Sequence, residues 1–112
     1  MINLAAKHKN TFDISDNSFS ILQQTFKRHQ QVEEAILFGS LAKGNYKRGS
    51  DIDLAIKGRD CTPLLALKIK GIINEELPIL YAVDIVDYNS LTQEELKSHI
   101  DRVGVIFYKK EE

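Results

Sequence analysis

Asp51 and Asp53 are separated by a single apolar residue. On an extended strand, residues two apart project from one face, so both carboxylates can meet one cation or a pair of cations. Left unneutralised, two such groups repel and one pKa rises. A hard divalent ion such as Mg2+ removes that cost and accepts oxygen ligands together with substrate phosphates. Taken alone, Asp-x-Asp more often describes a solvated strand end. Upstream, a hydrophobic run stops at Gly39-Ser40. Glycine lets the backbone approach a phosphate closely, the following amides form an anion-binding concavity, and Ser40 adds a hydroxyl donor. The same pair also makes an ordinary turn. Leu41 to Ser50 lie between the two motifs, and Lys43, Lys47 and Arg48 raise the local positive potential there.

The elements that must hold these residues follow from periodicity. Phe19, Leu22 and Phe26 give one apolar face of a helix from about Asn17 to His29, with Ser15, Asp16, Asn17 and Ser18 as N-cap candidates. Glu34 to Phe38 suits a short buried strand stopped by Gly39. From Asp51 to Ile56 the chain alternates, with Asp51, Asp53 and Ala55 on one face and Ile52, Leu54 and Ile56 on the other. Thr62-Pro63 starts a second helix whose stripe is Leu64, Leu65, Ile69, Ile72 and Ile73, ending before Pro78. Ile79 to Val86 reads as a strand carrying Asp84, with Asp87 at its end. Thr92-Gln93-Glu94-Glu95 matches a capping box opening a last helix to about Val103, and Val105 to Tyr108 suit an edge strand.

The link from Gly39 to Asp51 is too short for a crossover helix, so those strands are expected to be antiparallel neighbours. The longer link to the Asp84 strand contains a helix, which permits parallel pairing. The expected fold is α/β (α+β): a small mixed sheet packed with helices. A chain of 112 residues implies one domain, residues 1–112, with 1–14 as a loose lead-in and 109–112 as a frayed tail. A net charge of −1 provides no global basic field, so direct nucleic-acid binding is not expected. Cys61 is the lone cysteine, which excludes an internal disulfide and fits a reducing compartment. The polar N-terminus reads as no signal peptide and no run has membrane-spanning length, so cytoplasmic residence is the default. His8, His29 and His99 read as surface residues, Tyr46 as an exposed tyrosine able to stack on a base, and Cys61 as a small inert residue beside a helix cap that could lower its pKa.

The combination is more specific than its parts. A strand ending in Gly-Ser, ten residues, then Asp-x-Asp opening the next strand resembles the signature of the DNA-polymerase-β-type nucleotidyltransferase superfamily. Leu-Phe-Gly-Ser-Leu-Ala-Lys-Gly and Gly-Ser-Asp-Ile-Asp-Leu-Ala-Ile are particularly similar to the minimal nucleotidyltransferases, the MNT family. The resemblance spans residues 17 to 104. Leu41 departs from it, standing where many members carry arginine, which puts that position's phosphate contact in question.

What the resemblance implies is a polymerase-β-like fold and a third carboxylate on the strand beside Asp-x-Asp. Asp84 lies within an apolar run, where an acid needs a partner such as a metal; Asp87 points to the opposite face and marks the strand end. Asp84 is therefore the expected third ligand, with Asp51 and Asp53, of two Mg2+ ions. Gly39, Ser40, Lys43 and Ser50 are the expected contacts for ATP. The implied reaction is transfer of AMP to a hydroxyl. The family is typically paired with a separate all-helical HEPN protein, often as antitoxin, and the implied acceptor is a tyrosine of that ribonuclease partner. A binding-only antitoxin and a plain structural module are the rival readings.

Overall fold

The computed structural model describes residues 14–39, 51–79 and 81–111. Helix α1 spans Asp16–Arg28 and starts one residue earlier than its apolar period suggests, because Ser15 takes the cap: its side chain accepts from the Ser18 amide at 3.1 Å. Strands β1 (Glu34–Phe38) and β2 (Ile52–Lys57) pair antiparallel, with Phe38 opposite Asp53 and Leu37 opposite Leu54. Helix α2 (Pro63–Glu76) is capped by Thr62, which accepts from the Leu65 amide at 3.1 Å, with proline at its first turn. It carries the chain to β3 (Val83–Asp87), which pairs parallel with β2. After a short 3-10 turn over Tyr88–Ser90 come α3 (Glu94–Val103) and β4 (Val105–Lys109). The sheet order is β3-β2-β1-β4, so β3 and β4 are the edges.

Alternation along the strands divides the core between two faces. Leu37, Ile52, Leu54, Ile56, Val83 and Ile85 pack with Phe19, Leu22 and Phe26 of α1 and Leu65, Ile69 and Ile73 of α2. Ile36 and Ala55 face the other way, onto Ile100 of α3. A register shift between Ala35 and Ile36 lets β4 bury consecutive residues, Phe107 and Tyr108, against the α1 face. Their rings meet Phe19 and Phe26, with centroids 5.3 Å apart for Phe19–Phe107 and 5.6 Å for Phe26–Tyr108. Ile14, read as part of a loose lead-in, is buried in this cluster. Among the described residues no helix is long and apolar enough to cross a membrane.

Four local readings are corrected. The strand expected from Ile79 begins at Val83, because Val83 is the first residue with a β2 partner, Ile52; Ile79 and Tyr81 pack against the α1–α2 cluster instead. Leu64, assigned to the inward stripe of α2, is 74% exposed, since it lies on the side of the helix away from Leu65, Ile69 and Ile73. The capping box does not form: α3 starts at Glu94, Gln93 takes the cap position, and it makes no side-chain cap bond. Cys61 is buried beside the α2 cap, yet its thiol is pushed up to about 11, by burial first and then by the charges of Asp87, Glu33 and Asp60. The helix cap does not lower it, and the sulfur is within 3.4 Å of the Gln31 carbonyl.

Candidate active site

Three elements converge at one end of the sheet. The C-terminal end of β1 lies beside the N-terminal starts of β2 and β3, because β1 is antiparallel to β2 and β2 parallel to β3. The registers align Phe38, Asp53 and Asp84 in one row across the three strands. Partners in neighbouring strands share a face, so Asp53 and Asp84 project from the same side, about one strand spacing (~4.8 Å) apart at the backbone. Asp51 precedes Asp53 by two and extends this acidic row at the mouth of β2.

The electrostatics agree with that placement. The Asp53 carboxyl is raised above its ordinary value, by burial first and then by the negative charges of Asp84 and Asp51. Gly39 stands directly against it with φ +91, and a Cβ built there would come within 2.6 Å of Asp53 Oδ2. Only glycine both adopts this backbone conformation readily and leaves room for the carboxylate. The structure thus places Gly39, Asp51, Asp53 and Asp84 at one end of the sheet. Ser40, Lys43 and Ser50, as well as His8, Leu41, Tyr46, Lys47 and Arg48, lie outside the described residues.

The donors are all carboxylate oxygens, those of Asp53 and Asp84 on one face and that of Asp51 near enough to add to the rise that burial gives Asp53; hard oxygen donors of this kind suit Mg2+. As they stand, no three His, Cys, Asp or Glu side chains among the described residues are close enough to share an ion. Asp84 instead has Oδ1 3.0 Å from Lys70 Nζ of α2, both side chains being about half exposed. Asp87 points to the other face, as its spacing from Asp84 requires. It is buried, accepts from Ser90 Oγ at 2.6 Å, and its second oxygen finds no partner among the described residues.

Sequence reasoning missed two neighbours of this row. Lys70 lies off the apolar stripe of α2 and carries no motif. His99 reads as a surface residue, yet it is half buried with its ring edge-on to Phe38, centroids 6.4 Å apart. A signal for it existed: Leu96, His99, Ile100 and Val103 share one face of α3 at helical spacing. An open cavity of about 620 Å3, lined by Glu94, Glu95, Ser98, His99 and Arg102, lies along α3 beyond it.

The chain belongs to the polymerase β nucleotidyltransferase family, which matches residues 21–112, and its mixed four-stranded sheet with helices is the fold of that family. Solved structures share this fold. A toxin–antitoxin complex with AMP-PNP contains a chain similar over 85% of this one and 75% of its own length, at 23% identity and TM-score 0.66. The MntA–HepT toxin–antitoxin complex matches over 86% of this chain and 74% of its own, at 19% identity and TM-score 0.57. The tri-AMPylated Shewanella oneidensis HEPN toxin in complex with MNT antitoxin matches over 84% and 71%, at 19% identity and TM-score 0.56. At these identities the likeness is one of fold. No curated protein matches the chain at a significant level.

Proposed function

We propose that this chain is an MNT-type antitoxin that transfers AMP from ATP to a hydroxyl, the acceptor being a tyrosine of a separate HEPN-type ribonuclease. The observation that carries this reading is the row formed by Asp53 and Asp84, in register on one face and beside a glycine with positive φ, within a polymerase β family domain. The neighbouring complexes with AMP-PNP and with an AMPylated toxin support the donor and the partner class. Two Mg2+ ions, when bound, would supply charge neutralisation for the leaving pyrophosphate and activation of the acceptor hydroxyl. Asp51, Asp53 and Asp84 would hold them.

The chain's own residues then have distinct tasks. Gly39 admits a phosphate close to its backbone, and Ser40, Lys43 and Ser50 would contact the triphosphate. Asp53, wedged against Gly39, has a carboxyl raised by burial first and then by Asp84 and Asp51, and an added cation would offset both by favouring its charged form. Asp84 would accept the acceptor's proton. The chain contributes position and charge more than covalent chemistry. A reducing cytoplasm suits the free, buried Cys61.

Mixing the protein with ATP, Mg2+ and the product of its neighbouring gene should add AMP groups to the partner by intact mass. Asp53→Asn should abolish the gain. No mass gain with the wild-type chain would overturn the reading. One observation favours a second reading, neutralisation by complex formation alone: Asp84 is engaged with Lys70 rather than grouped with Asp53 around an ion site. Full neutralisation of the partner by Asp51→Asn/Asp53→Asn would decide for it.

A further inference from the structure

We propose that Lys70 is a resident counter-ion for the acidic row, a positioning residue that holds Asp84 until a divalent cation takes it over. This rests on the reading of Asp84 as a metal ligand.

The geometry is built by the backbone. Helix α2 packs on the sheet face that holds Val83 and Ile85, whereas Asp84 projects from the opposite face with Asp53. Because β3 is an edge strand, the long Lys70 stem can pass around that edge, and it delivers Nζ to 3.0 Å from Asp84 Oδ1. Asn74, one turn further along α2, fixes the register. Its amide donates to the Val83 carbonyl at 2.8 Å, and its oxygen accepts from the Val83 amide at 3.0 Å. The same amide donates to the Lys70 carbonyl at 3.0 Å. The helix is therefore clasped to the residue preceding Asp84, and Lys70 is presented to Asp84 by that clasp.

The charges give the contact a purpose. Asp51, Asp53 and Asp84 stand together, and the last two are in register. An ammonium beside Asp84 offsets part of their repulsion. A divalent ion bound by Asp84 and Asp53 would be repelled by the same ammonium, so the two cations compete for one carboxylate. Lys70 thus lowers the cost of the acidic row in the free protein and weakens its hold on metal. A lysine serving only the surface of α2 would do neither.

The test uses the full chain and Mn2+ alone, with free Mn2+ followed by its electron paramagnetic resonance signal. Lys70→Gln should bind Mn2+ about two- to fivefold more tightly than wild type, the range expected from removing one half-exposed ion pair. Its metal-free melting temperature should fall. Lys70→Arg, which keeps the charge, should restore wild-type behaviour. In an Asp84→Asn background Lys70→Gln should leave Mn2+ affinity unchanged, since the group being competed for is gone. Equal or weaker binding by Lys70→Gln, or tightening that persists without Asp84, would overturn the proposal while leaving the metal reading intact. If wild type and Lys70→Gln both fail to bind Mn2+, the metal reading itself falls and takes this inference with it.

Discussion

Gly39→Ala tests the link between backbone conformation and the acidic row. Two costs are expected. At φ +91 a residue with a Cβ is strained by roughly 1–2 kcal/mol relative to glycine. The new methyl would also lie 2.6 Å from Asp53 Oδ2, so the carboxylate must swing away from its place, at a further cost of about 1 kcal/mol. The total is roughly 2–3 kcal/mol. An unfolding entropy of about 2.1 cal/mol/K per residue, taken over this chain, converts each kcal/mol into roughly 4 °C. The melting temperature should therefore drop by about 8–12 °C by those figures. The two costs separate in a cycle with Asp53→Ala, which removes the carboxylate oxygen and leaves the Cβ at an ordinary 3.6 Å contact. In that background Gly39→Ala should cost only the conformational part, about 1–2 kcal/mol, leaving a coupling of about 1 kcal/mol measurable by urea unfolding of the four proteins. Equal costs in both backgrounds, within about 0.5 kcal/mol, would refute the contact as the reason for glycine at this position.

Three further outcomes follow from the same geometry. Asp53 has a raised carboxyl, so between its ordinary value of 3.8 and the higher folded value the native chain keeps a proton that the unfolded chain has lost. Stability should fall as pH rises through that window and stay lowered above it, and the stability gained by Asp53→Asn should grow over the same window in urea titrations at stepped pH. Asn74→Ala breaks both bonds to Val83 and should destabilise by about 1–3 kcal/mol, with hydrogen exchange at β3 rising more than at β1. Gly71→Ala should stabilise by about 0.5–1 kcal/mol in thermal melts, since Gly71 lies inside α2 and its missing Cβ would meet nothing within 4 Å.

The arrangement of the sheet was legible because it depends on chain length and period two. The stretch between Gly39 and Asp51 leaves no room for a crossover, so β1 and β2 must turn back on one another, and they do. Alternation put Asp53 on the face away from Leu54, and the registers agree. The odd spacing from Asp84 to Asp87 correctly sent the second acid to the other face. Lys70 was hidden because its role is set by Asn74 gripping Val83, a contact between helix and strand that no local pattern encodes. The Thr92 box looked complete, but the chain reaches α3 through the turn at Tyr88–Ser90 and enters the helix at Glu94, so Thr92 is not at the cap. Ile79 and Tyr81 are apolar as a strand would require, yet β2 begins at Ile52 and offers them no ladder.

Cys61 gives the fold a kinetic reporter. It lies just beyond the C-terminal end of β2, at the opposite end of that strand from Asp51 and Asp53. Burial and a thiol pKa near 11 keep the thiolate scarce at neutral pH. An alkylating reagent therefore waits for the Gly58–Thr62 turn or the whole domain to open. Its reaction rate becomes a clock for those openings, read by mass on intact protein in nanomole amounts. Cation or nucleotide engaging the far end of β2 would slow that clock only through global stability, not by covering the sulfur. One native thiol thereby separates ligands that tighten the whole fold from those that only occlude their own surface.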